Sequence, residues 1–468
     1  MNVIWIVSDT VRRKDVGVYG NEKIRTSNID ALAAKSMRFD RHYAASFPTM
    51  PTRADFLTGR WTLSFMQWTP IPPGNTLLTE LLRDSADINT AAVVDTPFFM
   101  RDGMNYDRGF TTFIEIPDHY FVAKGGYNPP HSPYRKLLER RPQHPLDSDC
   151  FAPRTFAKAM EWLTLNYKEN FFLYIDTWDP HEPWNAPIYY TEPYWPGYDG
   201  EQIMPFYRYM KEMPDFTEEM LKKAHAAYCG EISMVDAWIG NLIRQVEYMG
   251  LMENTAIIFS TDHGFYFGEH GILGKMIFAR EPEEISVIAS NTRSVGSWAR
   301  SPLYEEVAAI PLTIYVPGVD PGVYNGLTSA VDLMPTVLEL FGQEIPSFVE
   351  GRSLLPAIKN PGTLGREQVF TACPFINAGD TDQLVDHLLR KCAVPSMATV
   401  TTDEWSLLYD CEPGGSELYN LKSDPDQENN IIGKHTDIAK DMHRMLLQFM
   451  KDTDVPQRLQ EPRLELQL

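Results

Sequence analysis

The sequence predicts an α/β fold in which a largely parallel central sheet is flanked by helices and followed by a smaller C-terminal α+β domain. Three observations predict it. Short apolar runs rich in Val, Ile and Phe alternate with longer stretches of helical periodicity. Those runs are apolar at consecutive positions, as strands buried on both faces must be. Beyond residue 355 the pattern changes to shorter strand candidates separated by turn signals. A chain of 468 residues exceeds one small core, so the expected division is a large domain at 1–355 and a smaller one at 356–468.

Each element has its own warrant. "VIWIV" (3–7) is the first strand and "TSNIDALAAKS" (26–36) the helix after it. "FPTMPTRADFLTGR" (47–60) reads as a helix with Thr49 at its N-cap, Pro51 in its first turn and Gly59 at its end. "LLTELLRDS" leads to the strand "TAAVV", "FAKAMEWLTLNY" to "FFLYID", and "MVDAWIGNLIRQVEYMG" to "TAIIFSTD". The strand "IPLTIYVPG" and the helix "AVDLMPTVLELFG" complete the large domain. The tail carries "QVFTACPF", "MATVTTDEWSLLYD", the turn-rich "EPGGSELYN", and a last helix near 435–452. Segments 182–210, rich in Tyr, Trp and Pro, and 276–303, polar without periodicity, read as surface insertions near the active face.

Bulk properties narrow the function. A net charge of −21 argues against nucleic acid polymers and anionic membranes as partners. It also requires a locally positive site for any anionic substrate. The five cysteines are scattered, odd in number and without CxxC spacing, which suits reduced thiols. No apolar run approaches the ~20 residues that span a bilayer. With a strand opening directly at Asn2 and no basic leader before it, the expected location is the cytoplasm.

Ligands in parallel sheets gather beyond the C-terminal ends of strands. Acidic residues stand at those ends: Asp9 after "VIWIV", Asp176 and Asp179 after "FFLYI", and Asp262 after "AIIFST". With His263 beside Asp262 and a hydroxyl from Thr49, an O,O,O,N donor set emerges that suits Mn²⁺, Mg²⁺, Ca²⁺ or Zn²⁺.

Taken in order, the motifs resemble the sulfatase family of the alkaline phosphatase superfamily. "SNIDALAAKSMRFDRHYAASFPTMPTRADFLTGR" resembles its first signature, C/S-x-P-x-R followed by T-G-R, and "STDHGFYFGEHGILGK" its second metal motif. "YEEVAAIPLTIYVPG", "AVDLMPTVLELFG", "GRSLLP" and "ELYNLKSDPDQENN" match later landmarks. The resemblance implies an alkaline phosphatase-like fold and one divalent ion, Mn²⁺ or Zn²⁺ foremost, on Asp9, Thr49, Asp262 and His263. It further implies that Arg53 supports the nucleophile, that His181 in "IDTWDPHEPW" is the general acid, and that Lys275 contacts the transferring group.

The chain departs from the family pattern at Thr49. Sulfatases carry there a Cys or Ser that is oxidised to formylglycine. The β-methyl of threonine blocks formation of that aldehyde, so no formylglycine is expected. Superfamily relatives with an unmodified threonine are phosphoryl-transfer enzymes. A second departure is "DTPFF" in place of a G-K-x-H segment, which leaves Thr96 where the family has a lysine and offers substrate a hydroxyl instead of a charge. Thr10 stands where many relatives have a further acidic or amide ligand, so one metal with four protein ligands is expected. The sequence therefore points to a small anionic ester as substrate and to hydrolysis of phosphodiesters or phosphonate monoesters through Thr49. The alternatives are a sulfuric ester hydrolase acting without formylglycine and a non-catalytic sulfatase-like binding protein. The aromatic stretch 189–209 reads equally as a pocket wall or as a homo-oligomer interface.

Overall fold

A computed structural model describes residues 1–66, 69–86, 88–96, 103–116, 146–205, 207–278, 298–300, 302–373, 397–466 and 468. Its main sheet has eight strands. In spatial order they are Gly322–Tyr324, Met37–Phe39, Leu312–Tyr315, Thr255–Ser260, Asn2–Ser8, Phe171–Thr177, Asn89–Val94 and Thr112–Glu115. The central strands are buried at every residue, as their continuous apolar runs require.

Register positions the site. Val7 stands opposite Asp176 on one side and Ser260 on the other, and Val94 also stands opposite Asp176. Four parallel strands therefore end at one level, and Asp9, Asp95, Asp176 and Asp262 lie along a single edge of the sheet. Leu312–Tyr315 differs from its central neighbours in direction, pairing antiparallel with both adjacent strands. Nor does it close the sheet, because Gly322–Tyr324 adds parallel to Met37–Phe39 beyond it.

Helices cover both faces. Among them are Ser27–Ala33, Phe151–Asn166 and the 31-residue Glu218–Tyr248, whose N-cap Thr217 accepts the Met220 N–H. The tail folds as a four-stranded antiparallel sheet, Gln368–Ala372, Ala398–Thr402, Trp405–Tyr409 and Glu417–Asn420, with the helix Thr436–Asp452 packed on it. Phe370, Val400, Leu407, Met442 and Leu446 belong to the same apolar cluster as Trp5, Met50 and Phe56, so tail and main sheet share one core.

Much of the 182–210 segment turns inward: Trp184, Tyr198 and Tyr207 are buried in a cluster with Tyr228 and Phe265, while Tyr189 stays exposed. Most of the 276–303 segment (279–297 and 301) lies outside the described residues. Among the described residues, no helix is long and apolar enough to cross a membrane, and Cys229 and Cys411 are free thiols.

The short strand His42–Tyr43, which leads toward Thr49, carries a buried histidine. His42 Nδ1 lies 2.9 Å from Thr328 Oγ1, and Nε2 has no hydrogen-bond partner among the described residues. Burial lowers the His42 pKa from 6.5 to about 3. The unfolded chain therefore binds the extra proton between those values, and stability falls as pH drops through that window. His42→Gln should flatten the decline of Tm between about pH 6.5 and about pH 3. Calorimetric scans with identical slopes for the two proteins would contradict this.

Candidate active site

The first strand delivers Asp9 to the sheet edge. The Asp9 N–H donates to Thr177 O at 2.9 Å, one step past the regular ladder. Thr10 then turns the chain with φ at +62°, a conformation that costs a β-branched residue on the order of 1–3 kcal/mol. Its surroundings hold it there. The Thr10 N–H donates to Asp262 Oδ1 (2.9 Å), its carbonyl accepts the Tyr228 hydroxyl (2.8 Å), and its own hydroxyl donates to Asp9 Oδ1 (2.5 Å).

Asp262 and His263 follow the Thr255–Ser260 strand. The His263 N–H donates to Asp262 Oδ1 at 2.9 Å. Nδ1 lies 3.0 Å from Gly264 O, which makes it the protonated nitrogen and leaves a lone pair on Nε2. Burial holds the His263 pKa near 3, so the ring is neutral and able to ligate. Gly264 is required because the Glu306 carbonyl passes where a side chain would begin: an added Cβ would stand 1.9 Å from Glu306 O.

The helix Thr49–Thr58 places a hydroxyl and a guanidinium at this edge. Thr49 is its first residue and Pro48 takes the cap position without a side-chain bond, so Thr49 is not the N-cap expected from sequence. Thr49 Oγ1 instead lies 3.4 Å from His263 Nε2. One turn later, the fully buried Arg53 donates from Nε and Nη2 to the two oxygens of Asp176 (2.7 and 2.9 Å) and from Nη1 to Asp262 Oδ2 (2.6 Å). Nη2 is also 3.0 Å from Asp9 Oδ2, and Nη1 3.4 Å from Thr49 O. Arg53 thus touches the Thr49 segment, but its main bonds go to three carboxylates.

Lys275 completes the inner group. Its Nζ donates to Thr10 Oγ1 at 3.3 Å and lies 3.4 Å from His263 Nε2 and 4.0 Å from Asp9 Oδ1. It also stands 6.0 Å over the Trp178 ring, on whose face His181 stacks at 3.7 Å. The His181 Nδ1–H donates to Glu182 O (2.8 Å), with Glu182 Oε2 3.3 Å away. Burial and the Lys275 charge both lower the His181 pKa, so the resting imidazole is neutral. Thr96 points its hydroxyl at Asp176 Oδ1 (2.5 Å), behind Arg53.

The fold thus brings Asp9, Thr49, Arg53, Asp262, His263 and Lys275 into one cluster, with His181 beside it and Thr96 beneath it. Sequence reasoning did not find the support. Asp176 was visible at a strand end, but its pairing with Arg53 was not. Asp95, which accepts the Trp178 N–H (2.5 Å) and the hydroxyls of Thr155 and Thr177 (2.7 and 3.0 Å), gave no signal beyond ending a strand.

The cluster fits a divalent cation. Asp9, Asp262 and His263 offer ligand atoms within 4.8 Å of one another. Burial and repulsion from Asp262 raise the Asp9 pKa well above the ordinary value, which marks a shortage of positive charge. Asp9 Oδ2 is buried with no well-aligned hydrogen bond among the described residues. Among the described residues, three carboxylates face two cations, Arg53 and Lys275, around a neutral imidazole, so one negative charge remains for an ion to offset.

The family profile described as "Sulfatase" matches residues 1–343, and "N-sulphoglucosamine sulphohydrolase, C-terminal" matches residues 295–452. An "Uncharacterized sulfatase YidJ" of Escherichia coli (strain K12) is 24% identical over 475 residues, covering 96% of this chain and 87% of that protein. A "Multifunctional alkaline phosphatase superfamily protein PehA" of Trinickia caryophylli is 24% identical over 423 residues, covering 76% of each. Among solved structures, the phosphonate monoester hydrolase of Agrobacterium radiobacter superposes with a TM-score of 0.73 at 18% identity, over 97% of this chain and 96% of that one.

The close approach at Gly264 yields a test. Gly264→Ala should destabilise the protein by about 1–3 kcal/mol in urea unfolding and weaken Mn²⁺ binding in calorimetric titration, because His263 must shift. Gly433→Ala, whose added Cβ would meet nothing within 4 Å, should leave both unchanged. Unaltered Mn²⁺ binding by Gly264→Ala would remove His263 from the ligand set.

Proposed function

The chain belongs to the sulfatase family, and we propose that it is a metal-dependent hydrolase that cleaves phosphodiesters or phosphonate monoesters with Thr49 as nucleophile. The observation that carries this reading is the Thr49 hydroxyl, 3.4 Å from the bare Nε2 of His263, on a side chain whose β-methyl bars conversion to an aldehyde. Similar proteins named as sulfatases and as a phosphonate monoester hydrolase both exist, so family membership leaves the element open, and Thr49 is the feature that supports phosphorus.

Asp9, Asp262, His263 and Thr49 would hold one Mn²⁺ or Zn²⁺. Bound there, the ion supplies positive charge that lowers the hydroxyl pKa and offsets charge on the substrate's non-bridging oxygens. The rest falls to the protein. Thr49 Oγ1 releases its proton to solvent and bonds to phosphorus as the bond to the leaving oxygen breaks, and water later hydrolyses the phospho-threonine, returning a proton to Oγ1. The helix N-terminus adds typically ~0.3–1 kcal/mol of stabilisation for negative charge at Thr49. Arg53 fixes the carboxylates, and its committed donors leave Lys275 as the described cation nearest the transferring group.

His181 rests with its proton on Nδ1, so Nε2 must first take up a proton before it can act as an acid. An arriving anion favours that uptake by offsetting Lys275. The protonated ring then donates to the departing oxygen. Thr96, whose hydroxyl donates to Asp176, supports Arg53 from below.

Matched aryl phosphodiester, phosphonate monoester, phosphate monoester and sulfate substrates, given to Mn²⁺-loaded protein, test the reading. A phosphodiester or phosphonate should lead in kcat/KM by more than ~100-fold, about 2.7 kcal/mol. Thr49→Ala should lose at least ~10³-fold, and chelation should abolish turnover. A leading sulfate would overturn the choice of element, and an active Thr49→Ala would overturn the nucleophile.

His181 is tested by leaving group. His181→Ala should lower turnover by ~10²–10⁴-fold for an alkyl leaving group that needs a proton, and far less for a nitrophenolate that does not. Equal losses on both would show that His181 is not the acid.

A further inference from the structure

A second group of ligating side chains lies outside the catalytic cluster. Asp15, in the turn after the first strand, meets His225 and Cys229 of the helix Glu218–Tyr248, and their ligating atoms all fall within 4.8 Å of one another. We propose that Asp15, His225 and Cys229 form a second metal site, one that takes Zn²⁺ with water as its fourth ligand and pins the long helix to the loop carrying Asp9.

His225 and Cys229 are four residues apart on one helix face. His225 Nε2 lies 3.1 Å from both oxygens of Asp15 and 3.7 Å from Cys229 Sγ. Tetrahedral zinc, with N and O ligands at ~2.0–2.1 Å and S at ~2.3 Å, separates its ligand atoms by about 3.3–3.6 Å. His225 Nε2 already stands near that spacing from both partners, and the Asp15 and Cys229 ligand atoms lie within 4.8 Å of each other. They do not form a nucleophile relay, in which the carboxylate holds the ring nitrogen opposite the thiol. Here carboxylate and thiol converge on the same nitrogen, whose single proton cannot serve both. A cation satisfies all three.

The surroundings supply the outer contacts a ligating carboxylate needs. Arg12 Nη1 lies 3.2 Å from Asp15 Oδ2, and Asn21 Nδ2 donates to Oδ1 at 3.2 Å. Arg12 also pairs with Glu269. Arg12, Asp15 and Glu269 together carry one negative charge, so Zn²⁺ with a Cys229 thiolate brings the group to neutrality. An ion bound here would displace the Cys229 thiol proton to solvent as the S–Zn bond forms. Asp15 and Cys229 are buried, whereas the His225 side chain is 36% exposed, which leaves an entry path and an open fourth position. Between the two helix ligands, Tyr228 donates its hydroxyl to Thr10 O and accepts the Arg12 N–H, both at 2.8 Å. An ion at this site therefore braces the turn that aims Asp9.

Co²⁺ added to metal-free protein is the probe. The catalytic cluster has only O and N donors, so a near-ultraviolet thiolate-to-Co²⁺ charge-transfer band reports the second site. Wild type should show the band and hold two ions per chain. Cys229→Ser and His225→Ala should each lose the band and one ion, while Asp262→Asn keeps the band. Wild-type protein without the band would overturn the proposal, as would a band that survives in Cys229→Ser. The wild-type spectrum and His225→Ala stand whether or not the cysteine variant folds, and no readout depends on turnover.

Discussion

Burial of three carboxylates at one sheet edge is the constraint on which the rest of the structure depends. Parallel register brings Asp9, Asp176 and Asp262 to one level, where none can reach bulk water. Removing one partner of a buried ion pair typically costs ~3–5 kcal/mol, so a cation must be built in. Arg53 is that cation, and its bonds to all three orient the helix Thr49–Thr58. Thr49, one turn earlier on the same helix, inherits its place from the clamp. The hydroxyl meets His263 because the guanidinium meets Asp176 and Asp262.

The C-terminal sheet secures the approach to that helix from the other side. Phe47 donates its N–H to Ala372 O (2.9 Å), Ala372 donates to Ala45 O (3.0 Å), and the Thr371 hydroxyl donates to Ala44 O (2.5 Å). The edge strand Gln368–Ala372 thus continues its pairing into the segment just before Thr49. A shared apolar core then makes the tail part of the scaffold of the site.

The sequence made the strands legible because buried parallel strands are continuously apolar, and it showed acidic residues at their ends because carboxylates there break the run. "DHG" and "PTMPTR" marked ligand and hydroxyl for the same reason. Strand direction was not legible: "IPLTIYVPG" is equally apolar whether it runs parallel or antiparallel. Partnerships that need register were hidden too. Asp176 and Arg53 are 123 residues apart, and Thr96 finds Asp176 across 80. Thr49 carried cap chemistry by composition, yet the helix starts one residue earlier than that role requires, which frees the hydroxyl for His263. Asp15 and His225, 210 residues apart, meet only because the long helix crosses the turn after the first strand.

Charge then narrows what the site can hold. The protein carries −21 overall, and the inner cluster alone has three carboxylates against Arg53 and Lys275. Without a divalent ion such a site repels anions; with one it carries a single positive charge. A monoanionic ester brings that charge to zero, whereas a phosphate monoester dianion leaves a buried excess that low dielectric makes costly. Phosphodiesters, phosphonate monoesters and sulfate esters all pass this filter, since each is a monoanion. The second filter is covalent. A formylglycine hydrate can expel sulfate by collapsing to its aldehyde, whereas a sulfated threonine must await attack by water at a crowded sulfur. A phospho-threonine instead offers water a phosphorus centre that Lys275 can help neutralise. Charge favours a monoanion, and on the proposed reading the methyl group of Thr49 is what turns the choice toward phosphorus.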